Sequence, residues 1–158
     1  MQFNSLTDVL AEQIADLRSA EQQLIQALPK MAGAANDPDL RDAFTTHLDE
    51  TRHHAERLER VIPALSVTVP AKECEAMRGL VKEGEEVISA GGDPTARDTA
   101  LIAAAQRVEH YEIAAYGTAR TLAQELDLGD AADLLEDTLD EERKADSLLN
   151  KLATGGMM

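Results

Sequence analysis

Strong acids stand at positions where a buried helical stripe would ordinarily carry leucine. Glu21 lies between Leu17 and Leu24, so a helix that buries those leucines turns Glu21 inward as well. Glu109 and Glu112 are three residues apart and share a helix face with Ala105, Ala115 and Tyr116. Glu142 and Asp146 continue the register Leu135, Leu139 and run on to Leu149, which places both between core leucines. One further segment is mixed: Glu50 lies toward the edge of its stripe, His47 and His54 lie nearer the centre, and His53 lies beyond Glu50. Glu50 to His53 also spells the Glu-x-x-His spacing used by metal sites in helical bundles.

Carboxylates gathered in a narrow core each cost several kcal/mol as unpaired anions. Lys30, Arg107, Arg120, Arg143 and Lys144 fall off the inward stripes, leaving Arg18 and Arg57 as the nearest counter-charges. Two divalent or trivalent cations balance such a cluster better. Oxygen ligands with an imidazole suit iron first and manganese second, and the lack of thiolates argues against structural zinc. Tyr116, one turn beyond Glu112, is either a hydrogen-bond donor to the site or a core-filling ring.

Long helices are needed to position these residues. Apolar residues at Leu6, Leu10, Ile14, Leu17, Leu24 and Leu28 predict a helix over about 5–35, with Pro29 kinking its end. Leu40, Phe44, Leu48, Leu58 and Ile62 predict a second helix over about 38–64, opened by Pro38. A linker bracketed by Pro63 and Pro70 leads to a short helix over about 71–90 that ends at Gly91-Gly92. Two further long helices are expected over about 94–126 and 129–153, and residues 155–158 read as a frayed tail. The expected fold is all-α and one domain over 1–158. Two hairpins are joined by a long crossover carrying the short extra helix.

The composition fits that architecture. The 158 residues are rich in Ala and Leu, with no Trp and an aromatic content of only 3%. A formal charge of −15 opposes contact with nucleic-acid phosphates or anionic membranes. The single cysteine, Cys74, excludes an internal disulfide framework, and no stretch has the length of a membrane span or the pattern of a leader. A cytoplasmic setting is the expectation.

Several segments resemble the YciE/YciF family of ferritin-like proteins along nearly the whole chain. The most specific is Val108-Glu109-His110-Tyr111-Glu112-Ile113-Ala114-Ala115-Tyr116-Gly117. Ser19-Ala20-Glu21-Gln22-Gln23-Leu24, His47-Leu48-Asp49-Glu50-Thr51, Cys74-Glu75-Ala76-Met77 and Asp140-Glu141-Glu142-Arg143-Lys144-Ala145-Asp146 are similar to the family too. The resemblance implies a ferritin-like four-helix bundle, a homodimer and a role in bacterial stress response. It also implies a di-metal site with Glu21 and Glu109 as single acids, Glu50 with His53 as a pair, and Glu112 as an additional acid. Glu50 and Glu142 would bridge the metals. The last helix departs from the family pattern, because Glu142 is followed at three by Ala145 and at four by Asp146. That four-residue spacing points to Glu50 with His54 as its counterpart, so His53 and His54 remain alternatives.

Three functions are compatible with this reading. The first is a di-metal protein that reacts its metals with oxygen or peroxide. The second is a non-catalytic helical interaction module whose acidic site is vestigial or unoccupied. The third is cage-type iron storage, which requires a large symmetric shell.

Overall fold

The computed structural model describes residues 1–155 and contains five α-helices, with no strand among them. Helix α1 spans Leu6–Ala34, α2 Pro38–Val61, α3 Glu75–Ile88, α4 Pro94–Glu125 and α5 Gly129–Gly155. A single 3₁₀ turn, Ile62–Ala64, extends the end of α2. Residues 156–158 of the expected tail lie outside the described residues, and Gly155 closes α5.

Local chemistry sets where the helices begin. Ser5 and Asp8 form a reciprocal capping box at the start of α1. Asp37 and Asp93 cap α2 and α4, each followed by a proline whose missing N–H costs nothing in the first turn. Helix α1 continues through Pro29 to Ala34. The short helix starts at Glu75 rather than near residue 71, because the Cys74 sulfur accepts from the Met77 N–H and fixes the first turn there.

Around the bundle the neighbours are α1 with α2, α2 with α5, α5 with α4, and α4 with α1, while α3 packs across α1 and α4. Leu10, Ile14, Leu17, Leu58, Tyr116, Leu135 and Leu139 form one half of the core. Leu24, Leu28, Phe44, Met77, Leu101, Ile102 and Leu149 form the other. Leu6, expected on the buried stripe, is 50% exposed, since the core begins one turn later at Leu10.

One buried acid absent from the expected set has a structural purpose. Asp98, 1% exposed on α4, accepts from the backbone N–H groups of Asn36 and Asp37 at 2.8 and 2.7 Å and locks the α1–α2 turn against α4. Arg97 adds a bond to the Ala34 carbonyl at 3.0 Å. Asp98→Ala leaves two backbone donors unsatisfied, with an expected loss of about 2–4 kcal/mol in urea unfolding at neutral pH. An unchanged urea midpoint would contradict this role.

Candidate metal centre

Between the two halves of the core lies a layer of buried polar side chains. Glu21, His54, Glu112 and Glu142 are fully buried, Glu109 is 2% exposed and His47 is 6% exposed. Each of the four long helices contributes: Glu21 from α1, His47 and His54 from α2, Glu109 and Glu112 from α4, and Glu142 from α5.

Five of these residues form two overlapping groups, Glu21–His54–Glu142 and His47–Glu109–Glu142, whose ligand-type atoms lie within 4.8 Å of one another in each group, and Glu112 belongs to neither. Only Glu142 belongs to both. His54 Nδ1 is 2.8 Å from Glu142 Oε1 and 3.6 Å from Glu21 Oε2. His47 Nε2 is 2.8 Å from Glu109 Oε1 and 3.8 Å from Glu142 Oε2.

The atoms are close, yet they are not aligned as hydrogen bonds. His47 Nε2, His54 Nδ1, Glu21 Oε2, Glu109 Oε2 and both carboxylate oxygens of Glu112 and Glu142 have no hydrogen-bond partner among the described residues. Orphaned buried acceptors are rare and call for an explanation. At most two imidazolium charges would face the carboxylates of Glu21, Glu109, Glu112 and Glu142. The donor set, mostly hard oxygens with two imidazoles, fits two divalent or trivalent cations.

Each imidazole also reaches outward to a second carboxylate. His47 Nδ1 lies 3.3 Å from Glu50 Oε2, and His54 Nε2 lies 3.5 Å from Glu141 Oε1. Arg57 fixes Glu141 through a 2.6 Å bond and also donates to Thr138 at 3.2 Å. The Glu50 contact is a hydrogen bond, of the kind that sets a tautomer and aims the inner nitrogen at the site, whereas His54 Nε2 has no hydrogen-bond partner among the described residues. Tyr116, fully buried, donates to Glu21 Oε1 at 3.1 Å.

Not every expected residue shares this layer. His53 is exposed, whereas His47 and His54 are seven residues apart and therefore lie on nearly the same helix face. Of the two alternatives, the bundle packing turns His54 inward. Glu50 belongs to neither group and is one-third exposed. Asp146 lies one turn beyond Glu142 and turns to His110 on α4 at 3.1 Å, away from the cluster. His47 was absent from the expected ligand set, although its heptad spacing to His54 marks it. Of the two candidate counter-charges, Arg18 pairs with Glu59 on the surface, and only Arg57 approaches the site.

Burial and the crowding of acids shift the proton affinities across the cluster. Burial and the surrounding acids Glu21 and Glu142 hold the Glu112 carboxyl well above its ordinary range. Burial and Glu109 push Glu142 up to about 8. Burial opposes charging of His54, but the adjacent carboxylates of Glu142 and Glu21 outweigh it and raise His54 to about 10. Burial opposes charging of His47 too, and there Glu109 and Glu142 outweigh it.

All four groups therefore bind protons more tightly in the folded chain than in the unfolded one. Their stabilisation is complete below the unfolded values, and the Glu142 part is lost as pH rises from 4.5 through about 8. The His54 part is lost later, as pH rises from 6.5 through about 10. Metal-free protein is accordingly expected to lose stability between about pH 5 and 8, by about 1.4 kcal/mol per pH unit for each proton retained. Urea midpoints measured in chelator across this range test the sign; a rise would contradict it.

No helix among the described residues is long and apolar enough to cross a membrane. Protein YciF of Escherichia coli (strain K12) is 45% identical over 154 residues, which are 97% of this chain and 93% of that protein. The crystal structure of the E. coli stress protein YciF matches with a TM-score of 0.92 at 45% identity, covering 96% of each chain. YcfI from Rhodopseudomonas palustris matches with a TM-score of 0.88 at 41% identity, over 93% of this chain and 94% of that one. A family model described as "Domain of unknown function (DUF892)" matches residues 5–158. The chain therefore belongs to the DUF892 family, as an all-helical homologue of the E. coli stress protein YciF.

Proposed function

We propose that this protein is a ferritin-like di-metal protein of the bacterial stress response, binding iron first and manganese second and reacting the metal with oxygen or peroxide. The observation that carries the reading is the pair of ligand groups that meet at Glu142. On this reading Glu21 with His54 would hold one metal and Glu109 with His47 the other, Glu142 would serve both as the residue common to the two groups, and Glu112 would add a carboxylate. Bound iron would supply Lewis-acid and one-electron redox chemistry. The chain's own part is to orient His47 through Glu50, to place the Glu141 carboxylate behind His54, to exclude bulk water with the two apolar half-cores, and to hold a proton on Tyr116 beside Glu21. The stress role is supported by the similarity to YciF, which is called a stress protein. A homodimer and a cytoplasmic setting complete the proposal.

The test is to load purified protein with ferrous iron without oxygen and then to admit air or peroxide. Two equivalents per chain are expected, with oxidation on admission. Absence of stoichiometric uptake defeats the binding claim, and uptake without oxidation defeats the catalytic one. Iron at a hundredfold excess over its dissociation constant should stabilise the fold by about 2.7 kcal/mol for each site filled.

The raised affinity of Glu112 and Glu142 for protons favours a second reading, a helical interaction module in which protons neutralise the acids. It predicts the same melting temperature with and without chelator. Cage-type storage would require a large assembly, which a dimer-sized mass in solution excludes.

A further inference from the structure

Beside the His47–Glu109 edge of the polar layer, side chains of α1, α2, α4 and α5 leave a pocket of about 110 Å³. Leu24, Phe44, Ala105 and Leu149, all buried, are part of its lining. His47 and Glu109, both buried, give it a polar inner end, while Glu50 and the exposed Thr46 and Lys144 line its outer side. Leu148, 44% exposed, also lines it and marks the side that opens to solvent.

Protein interiors are close-packed, and a void of this size forfeits contacts on every wall. Water is a poor filler, because an ordered water needs two to four polar partners and most of this wall is hydrocarbon. An apolar cavity of ~150 Å³ takes up benzene or xenon, so the volume here suits ligands of that class. Typical sites for drug-sized ligands are about 300–1,000 Å³, so sugars, nucleotides and peptides are too large as well as too polar. The Glu109 carboxylate at the inner end, with Glu50 and the formal charge of −15, outweighs the lining Lys144 and repels anions.

We propose that this pocket takes up a small neutral apolar molecule, no larger than about benzene, and holds it against the His47–Glu109 edge of the centre. What the centre then does with that molecule rests on the di-metal reading, whereas the binding itself does not. The same chemistry describes two sources, dioxygen and a small apolar organic substrate.

Full-length protein in chelator is titrated with xenon and separately with benzene, and the methyl resonances of Leu24, Ala105, Ala145 and Leu149 are followed by NMR. Saturable shifts confined to the pocket are expected. Binding of both probes assigns room for an organic ligand, and binding of xenon alone assigns a gas-sized one. Ala145→Met, which fills the pocket from α5, should lose the shifts while keeping a cooperative melt and iron uptake. Absence of saturable shifts with either probe in the unmodified protein overturns the proposal, as does their persistence in a folded Ala145→Met. Iron uptake is measured on the same preparations after the chelator has been removed: uptake without probe binding sinks the pocket alone, and probe binding without uptake sinks the metal reading alone.

Discussion

Metal-free Glu112→Met should be more stable than the unmodified protein, by about 1–3 kcal/mol in urea. Both oxygens of Glu112 are buried without hydrogen-bond partners, and Glu21, Glu142 and Glu109 all act on it unfavourably. Methionine fills a similar volume with a flexible apolar chain and removes one of four mutually repelling acids. A chain of this length gains about 2–4 °C in melting temperature per kcal/mol. In iron the order should narrow or reverse, since the variant gives up two oxygens from the centre. A stability gained by removing a site and lost on adding its ligand is the signature of a group kept for function. Lower stability of Glu112→Met in chelator would show that the carboxyl is satisfied in some other way.

The other large effect concerns stoichiometry. Glu142 is the residue common to both ligand groups, while Glu21 and Glu109 belong to one each. Glu142→Ala is therefore expected to abolish stoichiometric iron uptake, and Glu21→Ala or Glu109→Ala to reduce it from two equivalents to one. Loss of Glu142 leaves His54 with Glu21 at 3.6 Å and His47 with Glu109 at 2.8 Å, so each imidazole keeps a carboxylate and the helices keep their contacts. Metal analysis after gel filtration, with circular dichroism on the same fractions, separates a lost site from a lost fold. A folded Glu142→Ala that retains two equivalents would dismiss the shared-ligand arrangement.

Both predictions depend on side chains whose inward direction follows from helical periodicity alone. Glu21, Glu109, Glu112 and Glu142 each sit within a run of core residues on their own helix, and all four are buried. Helix ends were legible where a single residue dominates the local energetics, as with Pro38 and Pro94 after their capping aspartates. The start of α3 was less so, because it depends on Cys74, whose backbone N–H bonds to Ser19 on a distant helix and whose sulfur lies 3.3 Å from the Tyr111 hydroxyl. Tyr111 in turn donates to Asp16, again across helices.

The apolar periodicity alone dictates that this chain forms long amphipathic helices and that four acids lie on their buried faces. A periodic pattern fixes the angle of a residue about its own helix axis, and that angle is all those assignments needed. Packing of the helices against one another is what turns His47 and His54 to the acids and His53 to solvent, sets Glu50 and Glu141 behind the imidazoles, and directs Asp146 to His110. Residues at the edge of a stripe are sent inward or outward by how neighbouring helices are rotated and offset along the bundle. Those rotations follow from packing among all four helices together, and no single helix encodes them.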